Sequence, residues 1–353
     1  MHRIFIFLTC LFFLATPLFS QEWGSNQTNT LTKAHRRENG YRILTLDGGG
    51  IRGVFSAQLL AMLEEEFHFL QHVDLFVGTS TGSILACALA YGIPPNEIVN
   101  FYRTHAKGIF TEKGGLYSYF PLDLLQAKYN RDYFQDILES IFPKNLQLSQ
   151  LPKKVVCISF QLYNPTINCW SPSLEDNFDP EVAKRISVTD AILRSTAAPT
   201  YFPSYQGHID GGAVANNPAM MGLTRALDMD GACVALEDIR MLSVGTGIVN
   251  NYIPEDVDWG GYGWMIHASF PLPTPPHPLL DILYNGNISV PHYQCSRLLN
   301  SHYFRLNTFL SNDLLLDDWH EVDFLIEEAK RLPENSPEEW NNLRKWVVEN
   351  FLQ

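Results

Sequence analysis

Gly78-Thr79-Ser80-Thr81-Gly82 sets a serine between two glycines, after the apolar run LFVG and before a small, apolar stretch. On a sharp turn between a strand and a helix, a serine is held with its hydroxyl exposed. The helix then aims its positive N-terminal end at that oxygen and favours an alkoxide-like form. Gly78 and Gly82 leave room for the turn to close. Ser243-Val244-Gly245-Thr246-Gly247 has a similar outline, but no helical pattern follows it.

A serine nucleophile needs a base. Seven histidines follow Ser80, at 105, 208, 267, 277, 292, 302 and 320, and none stands in a distinctive motif. The more distinctive feature is YQGHIDGGAVANNPAM, where a short strand-like run ends in Asp210, followed by Gly211 and Gly212. A carboxylate at a strand's mouth, with two glycines behind it, can approach the end of another strand. With an ordinary pKa near ~3.9, it becomes a useful base only when desolvated. His208, two residues earlier on the same strand face, keeps a Ser-His-Asp arrangement open.

DGGGIRG, residues 47 to 53, is the third element. Gly48, Gly50 and Gly53 satisfy the G-x-G-x-x-G dinucleotide fingerprint, which calls for an acid about 20 residues on, at the end of the second strand. The second run ends instead in the serine turn. The other use of such a loop is to converge the amides of Gly48, Gly49 and Gly50 on an oxygen that becomes negative, worth roughly 3 to 4 kcal/mol per donor.

These residues need strands to carry them. The runs RILTL, LFVG, KVVCISFQL, GHID and IRMLSVG alternate with helical patterns, which predicts an α/β fold with a mostly parallel central sheet and helices on its faces. A helix is expected over 81–90, ending at Gly92, and others near 291–300, 317–331 and 337–352. Residues 251–280, rich in Trp, Gly and Pro, form a long irregular segment, either a lid or binding loop or surface covering without function.

The chain has 353 residues, 46% hydrophobic and 18% charged, with a net charge of −13. Residues 1–20 have the layout of a cleaved signal peptide, which predicts export to the periplasm or outside the cell, with an uncleaved membrane anchor as the alternative. Arg3 is its only charged residue, so cleavage takes −13 to −14. That acidity argues against nucleic acid as a partner. Residues 21–40 read as a polar leader, 41–320 as the catalytic domain and 321–353 as a helical extension packed on it. Cys87, Cys157, Cys169, Cys233 and Cys295 have neither CxxC pairs nor histidines at metal spacing, so no metal site is expected.

In this order, DGGGIRG, GTSTG and DGG resemble the patatin-like phospholipase family, as do STAAPTYFP (195–203), DGGAVANNP (210–218), LSVGTG (242–247) and YFRLN (303–307). The resemblance implies a three-layer α/β/α fold and a lipid acyl hydrolase acting on membrane or interface substrates. It also implies Ser80 as nucleophile, Asp210 as its base without a histidine, and an oxyanion hole of Gly48, Gly49 and Gly50. Arg52 would support the loop or meet a substrate phosphate; no cofactor and no obligate protein partner follow from it. The readings left beside it are a Ser-His-Asp esterase, a lipid-binding protein with a decayed site, and a nucleotide-binding module.

Overall fold

The computed structural model describes residues 37, 40–114, 125–250, 253, 256–265, 278–312 and 314–353. The signal segment 1–20, nearly all of the leader, and 266–277 of the irregular segment lie outside the described residues. The chain starts with β1 (Tyr41–Leu46), a 3-10 turn (Gly50–Arg52) and α1 (Gly53–Phe67), then β2 (Leu75–Thr79), α2 (Thr81–Tyr91), α3 (Pro95–Ile109) and α4 (Asp132–Ile141). The hairpin of β3 (Lys154–Asn164) and β4 (Cys169–Asp176) follows, then α5 (Pro180–Ala183), α6 (Val188–Ser195), β5 (His208–Asp210), α7 (Gly212–Ala215) and α8 (Ala219–Leu227). The remaining elements are β6 (Ile239–Val244), α9 (Gly261–Met265), α10 (Pro278–Leu299), β7 (Tyr303–Leu306), α11 (Val322–Asn335) and α12 (Pro337–Phe351).

The sheet order is β4-β3-β2-β1-β6-β7, with β5 also on β3. All pairings are parallel except those of β4 and β5 with β3. Helices cover both faces, so the central strands are apolar on both sides and read as continuous hydrophobic runs. Ile43, Val77, Val156 and Met241 belong to one core with Ala219 and Leu223 of α8; Leu44, Leu46, Phe76 and Val155 belong to the other with α1, α2 and α11.

One expectation needed revision, and one strand had not been anticipated. The helix expected from about Pro291 begins thirteen residues earlier, at Pro278, and runs through Pro291. A proline removes one helical hydrogen bond, and packing of α10 on α7 and α8 holds the helix together across it. β4, with Pro172 and Trp170, carried no clear strand pattern; it lies at the sheet's edge, where proline is tolerated. Leu325, Ile326, Leu343, Val347 and Phe351 of the last two helices are fully buried in the larger core. At ~1.5–3 kcal/mol each, they contribute on the scale of a domain's net stability of ~5–15 kcal/mol. Those helices are part of the core.

One ion pair locks the loop after β1. Asp47 is buried beyond the end of β1, and Arg305 reaches it from β7 across the intervening β6. Arg305 Nη1 donates to Asp47 Oδ1 at 2.7 Å and to Ser243 Oγ at 2.8 Å, and Nη2 donates to Asp47 Oδ2. Such a planar two-point pairing fixes the carboxylate's orientation and with it the start of the glycine loop. Removing one partner leaves a buried charge alone, so Arg305→Met should destabilise the protein by about 3–5 kcal/mol in a urea titration. A loss below about 1 kcal/mol would show that the pair does not hold the loop.

Candidate active site

β3 is long enough to serve two strands on one edge. β2 pairs with it as far as Thr79 opposite Ile158, and the next position, Ser159, pairs with Asp210 of β5. β4 occupies the other edge. β2 and β5 therefore meet end to end, and the residue after β2 is Ser80.

Ser80 has φ 54° and ψ −124°, a left-handed region costly for a side chain. The turn closes because its neighbours have no side chains: a Cβ on Gly78 would strike the Gly82 carbonyl, and one on Gly82 would strike that of Leu46 on β1. The Ser80 amide donates to Ser195 Oγ at 2.9 Å, and Ser195 Oγ donates to the Ile158 carbonyl at 2.5 Å. Ser195, fully buried at the end of α6, thus ties the strained turn to β3 at the point where β2 ends.

Ser80 Oγ donates to Asp210 Oδ2 at 2.5 Å, and the Gly212 amide donates to Asp210 Oδ1 at 2.7 Å. Burial raises the Asp210 pKa to about 7, although the Ser80 and Gly212 hydrogen bonds pull it down. No cation is bonded to this carboxyl among the described residues. The glycines behind it are required by close approach, since a Cβ on Gly211 would strike the Ile158 carbonyl and one on Gly212 the ring of Tyr284.

His208 points elsewhere. Its Nδ1 lies 2.8 Å from the Gln206 carbonyl and its Nε2 3.7 Å from Glu175 Oε1, and burial lowers its pKa. Two residues back along β5, it pairs in register with Gln161, two positions further along β3 from the junction than the Ser159–Asp210 pair. Among the described residues no histidine bonds to Ser80 or Asp210.

The glycine loop narrows by one donor. The Gly48 amide, expected in the oxyanion hole, is committed to the Asn216 carbonyl at 2.9 Å, because the loop packs against the segment after α7. Among the described residues the amides of Gly49 and Gly50 have no partner, and both residues line the cavity beside Ser80. Arg52 Nε lies 3.4 Å from the Gly49 carbonyl, and the residue lines the same cavity. Burial lowers its pKa to about 10, partly offset by Asp281, Tyr201 and Asp47, so it stays cationic at neutral pH.

The cavity, of about 150 Å³, has a polar end at Gly49, Gly50, Arg52, Ser80 and Asp210 and an apolar arm at Ile84, Phe101, Phe110, Phe134 and Phe202. Ile84 and Phe101 also line a neighbouring groove between α2, α3 and α4. Among the described residues no group of three or more His, Cys, Asp or Glu is placed to hold a metal ion. Cys87 and Cys157 lie buried with their sulfurs 3.4 Å apart, as free thiols.

Sequence reasoning missed three residues that shape this site. Ser195 and Arg305 stand in STAAPTYFP and YFRLN, segments that carried the family resemblance without a role for either residue. Tyr284 had no local signal.

A family model described as patatin-like phospholipase matches residues 44–223. Protein teg of Priestia megaterium is 31% identical over 291 residues, spanning 77% of this chain and 89% of that protein. The putative sporulation hydrolase CotR of Bacillus subtilis is also 31% identical, over 77% of this chain and 88% of its own. A cGAMP-activated phospholipase of Vibrio cholerae is 33% identical over 59% of this chain and 65% of its own. With the glycine loop, serine turn and DGG all inside the matched region, the chain belongs to the patatin-like phospholipase family.

Proposed function

We propose that this protein is a lipid acyl hydrolase in which Ser80 attacks a carboxylic ester and Asp210 is its base. The observation that carries the reading is the 2.5 Å Ser80–Asp210 hydrogen bond, made by a carboxyl of pKa about 7 at the wall of a largely apolar cavity. A base poised near neutrality is half ionised at working pH and still strong enough to take the serine proton. As Ser80 Oγ bonds to the carbonyl carbon, its proton passes to Asp210, and the amides of Gly49 and Gly50 meet the oxygen that becomes negative. The ester C–O bond then breaks, the proton on Asp210 goes to the leaving oxygen, and an acyl-enzyme remains. Water, deprotonated by Asp210, attacks it and releases the fatty acid while the proton returns to Ser80.

The apolar arm supports an acyl chain as the group on Ser80, and Arg52, cationic at the polar end, suits a lipid phosphate. The phospholipase among the relatives favours the same substrate class. Export by the N-terminal segment 1–20 and action at a membrane interface are part of the proposal. His208, bonded away from Ser80, gives the Ser-His-Asp alternative no support, and the intact Ser80–Asp210 bond favours a working site over a decayed one.

The direct test is hydrolysis of a short-chain chromogenic ester by the purified protein. Ser80→Ala and Asp210→Asn should each lower kcat by about 10³-fold or more, and a fluorophosphonate should label the wild type but not Ser80→Ala. Full activity in Asp210→Asn would remove Asp210 from the mechanism. kcat/KM should rise with pH through about 7 as Asp210 ionises, then level off.

Stability should run the opposite way. Because folding raises the Asp210 pKa, the folded state holds its proton more tightly, and the associated stability is full below ~pH 4 and lost as pH rises through about 7. At ~1.4 kcal/mol per pH unit between ~3.9 and about 7, Asp210→Asn should gain at most ~4 kcal/mol over wild type at pH 8, and little below pH 4. Denaturant titrations at the two pH values check this. Phe101→Ala, which opens the cavity toward the neighbouring groove, should raise the ratio of kcat/KM for dodecanoyl over butanoyl esters.

A further inference from the structure

We infer that Tyr284 is a catalytic residue of this site, its hydroxyl donating a hydrogen bond to the leaving-group oxygen of the ester. The inference rests on the hydrolase reading above. Tyr284 stands on α10, and its ring packs against Gly212, the residue whose amide holds Asp210. It lines the cavity together with Ser80 and Asp210. Its Oη is buried and has no hydrogen-bond partner among the described residues. A buried hydroxyl left without a partner costs free energy, and folded proteins keep few of them. A partner that arrives with the bound substrate removes that cost at the moment of reaction.

Position decides which substrate atom that partner is. Asp210 is already occupied on both oxygens, by Ser80 and by the Gly212 amide. The carbonyl oxygen has the free amides of Gly49 and Gly50 on the loop after β1. The leaving oxygen must lie beside Asp210, because the group that takes the serine proton is the one that returns it to the leaving group. Tyr284 is packed on that side, over Gly212. Burial first, then the nearby charge of Asp210, hold its hydroxyl well above the usual tyrosine pKa, so it is present as a donor. The balance is complete without a second acid. The C–O bond breaks, the proton on Asp210 moves to the departing oxygen, and Tyr284 keeps its own proton while its hydrogen bond stabilises the developing charge.

Tyr284→Phe keeps the ring that packs on Gly212 and removes only the hydroxyl. The test compares kcat/KM, which reports acylation, for ethyl butanoate and p-nitrophenyl butanoate. An ethoxide leaving group needs stabilisation and a p-nitrophenolate needs little. The variant should lose about tenfold or more on the ethyl ester and less than about threefold on the nitrophenyl ester. Its Tm should stay level or rise, since an unpartnered buried hydroxyl has gone. An equal loss on both esters would place the hydroxyl at the carbonyl oxygen or make its role structural, and would overturn the assignment. So would wild-type rates on both. Were the wild-type protein inert on both esters and unlabelled by fluorophosphonate, the hydrolase reading would fall and this assignment with it; a labelled, active wild type isolates the question to Tyr284.

Discussion

The site depends on one edge of β3. That strand is longer than β2 by enough residues for a second, antiparallel strand to continue along the same edge, and the junction falls between Ile158 and Ser159. Two strands that point at each other across a junction bring their terminal residues together whatever lies between them in sequence. Ser80 and Asp210, 130 positions apart, are those residues. Ser195 closes the junction by bonding to the Ser80 amide on one side and the Ile158 carbonyl on the other. The glycines at 78, 82, 211 and 212 are what the crowding requires, because each sits where a Cβ would strike backbone or a neighbouring ring.

Two buried aspartates follow from the same local motif and meet opposite fates. Asp47 directly follows β1 and Asp210 ends β5, and each stands just before a run of glycines. Asp47 is gripped by the Arg305 guanidinium at two points, so it is a structural anchor that fixes the loop carrying Gly49 and Gly50. Asp210 receives only a serine hydroxyl and one amide, and burial moves its pKa to about 7. Burial pushes both carboxyls up; at Asp47 the charge and hydrogen bonds of Arg305 oppose the rise, whereas no cation among the described residues opposes it at Asp210. The strained φ of Ser80 and the unpartnered hydroxyl of Tyr284 place further local cost around the same point, held by two large cores on either side of the sheet.

Much of this was legible in the chain. Ser80, Asp210 and the glycine loop stood in short motifs whose residue types have few uses, and β-like runs alternating with helical patterns pointed to a mostly parallel sheet covered on both faces. The edge strand β4 was not legible, because its proline and polar residues break the strand pattern, and the start of α10 was obscured by Pro291. The committed amide of Gly48 could not be read at all, since its acceptor is the carbonyl of Asn216, 168 residues away.

The sequence by itself determined which residues have the chemistry: a serine on a glycine-flanked turn, two Asp-Gly-Gly segments, and a loop able to present bare amides. Local motifs are visible because backbone sterics and turn geometry act over a few residues. Which aspartate is gripped by an arginine and which is left beside the serine without a cation was decided by tertiary structure, as was the orientation of His208 away from the serine and the placement of Tyr284 over Gly212. Ionisation and hydrogen bonding depend on what surrounds a group in space, and those surroundings come from β3, β7 and α10, far along the chain.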